Sequence, residues 1–171
     1  RYQLAERLKK GFSNDVEGFL SFSLSVQNRR KSRIGYALEN HLEEIFNSCG
    51  VYYSRTKITE NKSKPDFIFP SVEKYHDSTF NPQLLTMLGV KNTCKDRWRQ
   101  VLSEADKIEY KHLLTLETAI SENQTNEMKD KKLQLVLPRS LHYTYNNSQQ
   151  SWIIDFNTFI NVVKEKQKNV Y

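Results

Sequence analysis

Cysteine and glycine are scarce in this chain, and several common kinds of functional site are missing with them. The 171 residues include only 2 cysteines and 5 glycines. Cys49 and Cys94 lie far apart, with no CxxC motif and no nearby histidine, which disfavours a disulfide framework and a zinc site. A glycine-rich phosphate loop and a G-x-S-x-G nucleophile elbow are also absent, which disfavours nucleotide hydrolysis and acyl transfer.

Long apolar runs and histidine pairs are lacking as well. No apolar run approaches the roughly 20 residues that a membrane helix requires, and Arg1-Tyr2-Gln3 does not begin a signal peptide. The four histidines are scattered without the spacing of a metal-ligand pair: His41, His76, His112 and His142. We therefore expect a cytoplasmic protein with no membrane partner. Because the chain does not begin with Met, we also expect it to be part of a longer protein.

Aromatic residues and positive charge, by contrast, are plentiful. The 9 Phe, 9 Tyr and 2 Trp disfavour disorder, and a chain of 171 residues suits one domain with a real core. The net charge is +6, and the isoelectric point is near 9.2. Such a charge suits a polyanionic partner, for example a nucleic-acid backbone.

Two patterns occupy the first fifty residues. Apolar side chains alternate through Phe19–Val26, which predicts a strand or extended segment, with a loop-to-helix interpretation as the alternative. After a basic run at Arg29–Arg33, Ser32 is the predicted N-cap of a helix that Gly50 ends. This helix has an apolar stripe made of Ile34, Leu38, Leu42, Ile45 and Phe46.

Predicted strands and helices alternate through the rest of the chain. Strands are predicted over 51–59, over about four residues between Pro65 and Pro70, and over 84–90, 113–116 and 133–137, with a loop over 71–82. Helices are predicted over 98–108, over 121–131 and after the N-cap residue Asp155. This alternation predicts an α/β fold in which a central mixed β-sheet is flanked by helices.

Charged residues are concentrated where the apolar strand 84–90 ends. Lys91 follows this strand, and Asp66 begins the short strand after Pro65, so pairing of the two strands would bring an ammonium and a carboxylate together. Such a pair suits phosphodiester hydrolysis, because a carboxylate can hold Mg²⁺ and a lysine can stabilise charge on the phosphate. Taken singly, Asp66 also fits a solvated Pro-Asp turn, and Lys91 fits a surface cation.

A catalytic Mg²⁺ usually needs more than one carboxylate. Gly89 occupies the position, two residues before Lys91, from which a second acid would point into the site. Glu104 on the predicted 98–108 helix and Glu39 on the earlier helix are the candidates for the missing acid. For both, a solvated helix face is the alternative.

Together these residues resemble the PD-(D/E)XK nuclease pattern in its permuted form, in which the second acid has moved to the next helix. The segment Leu88–Gln100, LGVKNTCKDRWRQ, closely resembles the catalytic domain of the EcoRII-type restriction endonucleases. The resemblance implies a restriction-endonuclease-like fold and a single catalytic domain over 1–171, the C-terminal part of a longer chain. The implied site comprises Asp66 and Glu104 as Mg²⁺ ligands, Lys91 as the catalytic lysine and Glu39 as a supporting catalytic residue.

The same resemblance assigns the segment after Lys91 to DNA recognition. Lys95, Asp96 and Arg97 match the residues that recognise the outer C:G pairs in related enzymes, and Arg99 is a further predicted DNA contact. The chemistry agrees, because Lys and Arg donate to guanine O6 and N7 while Asp accepts from cytosine N4. Asp96 is also the candidate N-cap of the 98–108 helix, and one carboxylate can perform both tasks.

The family further implies a homodimer that binds double-stranded DNA and uses Mg²⁺ to cut CC(A/T)GG-like sites before the first C. Three alternatives remain at the level of the sequence. They are a non-catalytic sequence-specific DNA-binding module, a repair or junction nuclease of the same fold, and a basic protein-interaction domain.

Overall fold

The computed structural model describes residues 16–170, apart from the side chains at positions 16, 61 and 96. The described residues separate into two compact units, with the boundary between Ala37 and Leu38. The described part of the first unit is helical, and helix α1 spans Val16–Ser48. The single catalytic domain expected over 1–171 stays a prediction, and the candidate site described below lies within the second unit.

A mixed β-sheet forms the centre of the second unit. Its described strands lie side by side in chain order: β1 Ser54–Arg55, β2 Phe67–Phe69, β3 Thr86–Lys91, β4 Lys111–Thr115, β5 Leu133–Leu137 and β6 Ile154–Asp155. The first three strands pair antiparallel, whereas β3, β4, β5 and β6 pair parallel. The carboxyl ends of these four parallel strands therefore meet at one edge of the sheet.

Helices connect and flank the strands. They are α2 Val72–His76, α3 Trp98–Leu102, α4 Glu122–Asp130, α5 Asn147–Gln150 and α6 Phe156–Lys168. Short 3-10 turns lie at Glu60–Lys62, Pro82–Leu84, Lys95–Arg97 and Arg139–Thr144. The predicted α/β architecture of a mixed sheet with flanking helices is confirmed. Within residues 16–170, none of the helices combines the length and apolar composition needed to cross a bilayer.

The sheet is covered by apolar side chains on both faces. On one face Met87 of β3 belongs to a buried cluster with Trp98 of α3. On the other face Leu88 belongs to a cluster with Phe46 of α1 and Phe159 of α6. Successive side chains of a strand point to opposite faces, and here both faces are covered. Strand β3 is therefore buried from Thr86 to Val90 and becomes partly accessible only at Lys91.

Helix α1 corrects the prediction for the N-terminal segment. The strand or extended segment predicted over Phe19–Val26 is wrong, because these residues lie inside α1, as the alternative interpretation held. Serine is not a strong helix former, but the Ser25 hydroxyl is satisfied within the helix, since its Oγ donates to the Phe22 carbonyl oxygen at 2.7 Å. Leu20 and Leu24 are 49% and 59% exposed, so the alternating pattern did not mark a buried face.

The start of α1 was wrongly predicted and its end was correctly predicted. The helix runs through Ser32, which therefore is not an N-cap. Gly50 follows the last turn with φ of +66°, and the Val51 N–H donates to the Phe46 carbonyl oxygen at 3.0 Å, the arrangement of a Schellman motif. Of the predicted apolar stripe, the buried members are Leu42 and Phe46 and the exposed members are Ile34 and Ile45.

Two predictions between residues 51 and 82 were wrong in extent. The strand predicted over 51–59 is reduced to β1, because Thr56 takes φ of +50°, a conformation that a strand does not accept. The loop predicted over 71–82 contains α2, whose N-cap residue Ser71 accepts a hydrogen bond from the Lys74 N–H at 3.3 Å.

The helix predicted over 98–108 is also shorter than expected. It ends at Leu102, because Ala105 takes φ of +51° and the chain turns away. Its N-cap is Arg97, so the N-cap predicted at Asp96 is wrong. The caps of two later helices agree with expectation, since Ser121 accepts from the Gln124 N–H in α4 and Asp155 accepts from the Thr158 N–H in α6.

Candidate active site

The pairing of β2 with β3 brings Asp66 to Lys91. The antiparallel register of the two strands puts Asp66 beside Gly89 at the end of the ladder. Asp66 Oδ2 accepts hydrogen bonds from the Val90 N–H at 2.6 Å and from Lys91 Nζ at 3.0 Å. Both charged side chains are mostly buried, with exposures of 16% for Asp66 and 13% for Lys91. A carboxylate and an ammonium thus converge at this edge of the sheet.

Glu104 belongs to this cluster, but it comes from a turn and not from a helix. It lies two residues after the end of α3, and its N–H donates to the Val101 carbonyl oxygen at 3.2 Å. Its Oε2 is buried and has no hydrogen-bond partner within the described residues. Burial of a carboxylate oxygen without a partner is costly, so this atom suits a position where a ligand binds.

The electrostatics of Glu104 connect it to the other two site residues. Burial raises the pKa of Glu104 to about 7, and the negative charge of Asp66 adds to this effect. The positive charges of Lys91 and Lys111 act in the opposite direction. A carboxyl group whose pKa is raised by burial and by a second acid is typical of functional sites in clefts.

Gly89 explains why the second acid comes from Glu104. The side chain of Val101 in α3 packs directly against Gly89, so the space for a side chain two residues before Lys91 is already filled. The helix that fills this space also leads to Glu104, three residues after Val101. Helix α3 therefore excludes an acid at position 89 and also leads to Glu104, which supplies the second carboxylate.

The donor atoms of this cluster fit Mg²⁺. Carboxylate oxygens are the hard ligands that Mg²⁺ prefers, and Asp66 and Glu104 supply them, one with an unpartnered buried oxygen. No group of three or more His, Cys, Asp and Glu residues in the described part of the chain could hold a metal. A Mg²⁺ ion would therefore complete its coordination with water and phosphate oxygens, as it commonly does.

Glu39 lies on α1 and is bound by Arg55. Arg55 Nη2 donates to Glu39 Oε2 at 3.0 Å, and Nη1 donates to Glu43 Oε2 at 2.6 Å. Burial opposes the charge of Arg55, but these two bonds raise its pKa above its ordinary value. The next residue, Thr56, donates its N–H to the Asp66 carbonyl oxygen at 3.0 Å, so β1 connects Glu39 to the site. The supporting role of Glu39 stays a prediction.

The predicted recognition segment follows Lys91 at the same sheet edge. Residues Lys95–Arg97 form a 3-10 turn in which Lys95 takes φ of +31°. The side chains of Lys95 and Arg97 are exposed. Two cations thus project within a few residues of the Asp66–Lys91 pair, an arrangement that suits contact with DNA.

Arg99 is held by contacts with two other side chains. Its Nη2 donates to Glu127 Oε2 at 2.7 Å, and its Nε donates to Glu127 Oε1 at 3.3 Å. The guanidinium also lies 4.6 Å from the ring centre of Trp98. The structure therefore holds Arg99 against α4, and its contact with DNA stays a prediction.

Comparison with known proteins gives the family. Residues 1–160 match the family model described as EcoRII C terminal. The chain is 47% identical over 154 residues to the type II restriction enzyme EcoRII of Escherichia coli, a match that covers 90% of this chain and 38% of that protein. The chain belongs to the EcoRII C-terminal family.

Solved structures show that this EcoRII C-terminal chain has the PD-(D/E)XK restriction-endonuclease fold. Metal-depleted Ecl18kI in complex with uncleaved DNA matches with a TM-score of 0.77 and 22% identity, over 92% of this chain and 53% of that one. The complex with uncleaved, modified DNA matches with a TM-score of 0.76 and 21% identity, over 95% and 55%. The chain spans about two fifths of the EcoRII length and about half of the Ecl18kI length.

Glu117 is a residue of this EcoRII C-terminal site region that the sequence did not single out. It lies two residues after the end of β4, and its Oε2 accepts a hydrogen bond from the Cys94 N–H at 2.9 Å. A glutamate after a strand carries little signal by itself. Its position could be found by considering every carboxyl end of the parallel strands, since these ends meet at the edge that carries Lys91.

Proposed function

We propose that this chain is the catalytic domain of a type II restriction endonuclease that hydrolyses DNA at CC(A/T)GG-like sites, before the first C, with Mg²⁺. The observation that carries the proposal is the Asp66–Lys91 pair with the unpartnered carboxylate oxygen of Glu104 in the same cluster. Membership in the EcoRII C-terminal family supports the class of reaction. The Leu88–Gln100 segment supports the site preference through its resemblance to that family.

Lys91 is the residue that acts on the scissile phosphate in this proposal. Its ammonium is held by Asp66 Oδ2 at 3.0 Å, and Asp66 is fixed in turn by the Val90 N–H. A preorganised cation in a mostly buried position stabilises the charge that develops on the phosphate and orients the attacking water. Because Asp66 also positions the ammonium, loss of Asp66 would remove a Mg²⁺ ligand and would leave Lys91 without its orienting partner.

Asp66 and Glu104 would hold the Mg²⁺ ion. The ion, when bound, supplies charge stabilisation at the phosphoryl oxygens. Proximity of a cation favours the ionised form of Glu104, whose pKa is otherwise raised to about 7 by burial. Binding of Mg²⁺ is therefore expected to release a proton from Glu104 near neutral pH.

Lys95, Asp96 and Arg97 would recognise the outer C:G pairs. The turn that contains them begins four residues after Lys91, so the catalytic lysine and the recognition residues lie on one continuous segment. Each good bidentate contact to a base edge discriminates by about 1–3 kcal/mol. A homodimer would present two such segments, in agreement with the two-fold symmetry of a pseudo-palindromic site.

The proposal is tested by digesting plasmid DNA that contains CC(A/T)GG sites and mapping the ends. We expect wild-type protein with Mg²⁺ to cut before the first C. We expect Lys91→Ala and Glu104→Gln to lower the cleavage rate by about 100- to 1,000-fold, because each removes charge stabilisation from the site. The matched control is Lys168→Ala, an exposed lysine on α6 whose partner is Glu165 at 2.5 Å, and it should cut like wild type.

Other results would favour one of the alternatives. Binding of a CC(A/T)GG duplex without cleavage in excess protein and Mg²⁺ would indicate a non-catalytic DNA-binding module. Cleavage that ignores CC(A/T)GG and survives Arg97→Ala would indicate a repair or junction nuclease. Sedimentation with and without a duplex tests the homodimer, since two chains per duplex are expected and one chain would contradict the symmetric assembly.

A further inference from the structure

Glu117 binds the backbone that joins the catalytic and recognition residues. Its Oε2 accepts the Cys94 N–H at 2.9 Å, and Cys94 is the residue immediately before the Lys95–Arg97 turn. The link spans 23 residues of sequence, from the end of β4 to the segment after β3. A hydrogen bond from a backbone N–H to a carboxylate is among the stronger kinds in proteins.

We propose that Glu117 is a positioning residue for DNA recognition. By holding Cys94, its carboxylate fixes where the Lys95–Arg97 turn stands relative to Lys91. The inference rests on the proposed function, because it assigns to Glu117 the alignment of two parts of that site. Glu117 itself is not required to touch DNA.

Neighbouring hydrogen bonds fix the position of Glu117. Its N–H donates to Thr115 Oγ1 at 3.2 Å, and its carbonyl oxygen accepts from Tyr145 Oη at 2.8 Å. Thr115 Oγ1 also donates to the carbonyl oxygen of Asn92 at 3.5 Å, and Asn92 is the first residue after Lys91. The segment between Lys91 and Lys95 is therefore attached at two points, at Asn92 to Thr115 of β4 and at Cys94 to Glu117 just beyond β4.

The conformation of this segment requires such an attachment. Lys95 takes φ of +31°, a region that side-chain-bearing residues adopt only when their surroundings impose it. The preceding Cys94 is completely buried, so its N–H would be without a partner if the Glu117 carboxylate were removed. Loss of the Glu117 carboxylate is therefore expected to release the backbone at Cys94, immediately before Lys95 with its positive φ.

Substitutions at Glu117 separate positioning from charge. Glu117→Gln keeps an oxygen that can accept from Cys94, whereas Glu117→Ala removes it. The matched control is Glu122→Ala, which removes a glutamate whose partner is the exposed Ser148 Oγ at 2.5 Å. Cleavage kinetics are measured on a CC(A/T)GG duplex and on one with an outer C:G pair changed to T:A, and thermal unfolding is followed for each variant.

The measure of discrimination is kcat/KM on the CC(A/T)GG duplex divided by kcat/KM on the altered duplex. For Glu117→Ala we expect this ratio to fall by about 10- to 100-fold, mainly through a higher KM on the CC(A/T)GG duplex. Glu117→Gln should stay within about threefold of wild type, and Glu122→Ala should match wild type. Thr115→Val removes the hydroxyl that bonds both the Asn92 carbonyl oxygen and the Glu117 N–H, so it should lower the ratio in the same direction. It provides the test should Glu117→Ala fail to fold.

Three results would overturn the inference. Unchanged discrimination in Glu117→Ala or in a folded Thr115→Val would show that the turn needs no such attachment. A loss in Glu117→Gln as large as in Glu117→Ala would show that the negative charge acts directly. A fall in kcat alone would assign Glu117 to the chemical step. Failure of wild type to cleave either duplex would refute the proposed function, and this inference with it.

Discussion

Val101 packs on Gly89 so closely that position 89 has no room for a side chain. A Cβ on Gly89 would lie 2.9 Å from Val101 Cγ2 and 3.0 Å from Val101 Cγ1. Both atoms belong to a β-branched side chain in a helix, which has little rotamer freedom. We expect Gly89→Ala to lower the free energy of unfolding by about 1–3 kcal/mol, measured by urea denaturation.

Two further variants test the cause of this loss. Val101→Ala removes the clashing methyl groups, so the double variant should be more stable than the sum of the single changes predicts. Gly35→Ala is the matched control, because nothing lies within 4 Å of a Cβ at that position of α1. Unchanged stability of Gly89→Ala would show that α3 shifts freely, and the argument for Glu104 as a substitute acid would then fail.

Sequence signals for individual strands predicted the part of the site that forms where β2 pairs with β3. Prolines on both sides delimited β2, the apolar run defined β3, and their pairing brought Asp66 to Lys91 as expected. The position of Glu104 could not be predicted in this way. Its place in a turn depends on the left-handed conformation of Ala105, which neither helix propensity nor apolar spacing reveals.

Long-range contacts that strand pairing does not create were also outside the reach of the sequence. Arg55 and Glu39 are 16 residues apart, and Glu117 and Cys94 are 23 residues apart. Neither pair joins two predicted strands, as the Asp66–Lys91 pair does, so no pairing rule relates them. The N-terminal segment failed for a different reason. Leu20 and Leu24 are exposed on α1, so their alternation with serines reflected no buried face.

Glu39 and Glu43 share Arg55, which makes them a matched pair for testing the predicted support of the site. The side chain of Glu39 is 16% exposed and that of Glu43 is 35% exposed. We expect Glu39→Gln to lower the cleavage rate by about tenfold, as losses of residues that support a metal site do, and Glu43→Gln to change it less. Equal rates for the two variants, measured at saturating Mg²⁺, would remove Glu39 from the site.

His112 makes the stability of the fold depend on pH. Burial lowers its pKa from 6.5 to about 4, and the positive charge of Lys166 acts in the same direction. Between these pH values the unfolded chain binds a proton that the folded chain does not, so stability is lost as pH falls from about 6.5 to 4. The full difference is roughly 3 kcal/mol at His112.

This pH dependence is measured by urea denaturation at pH 7.5 and pH 5. We expect His112→Gln to reduce the difference in unfolding free energy between the two pH values, because the variant has no imidazole to protonate. His76→Gln is the control, since His76 is exposed on α2. A pH dependence that persists unchanged in His112→Gln would assign it to other groups.

Arg99 and Glu127 form a pair that DNA would have to compete with if Arg99 contacts the backbone. The two donor–acceptor distances are 2.7 and 3.3 Å, and the side chains are 48% and 36% exposed. The pair is therefore weak, about 0.2–1 kcal/mol, and a phosphate could replace Glu127.

We expect Arg99→Ala to reduce the slope of log K against log salt by about 0.9, the effect of one phosphate contact. Glu127→Gln should keep the slope and tighten binding by about two- to fivefold at low salt, because Arg99 no longer leaves a charged partner. Lys168→Ala serves as the control for loss of one cation. A slope in Arg99→Ala equal to that of wild type would show that Arg99 remains on Glu127 in the complex and that its role is to hold α3 against α4.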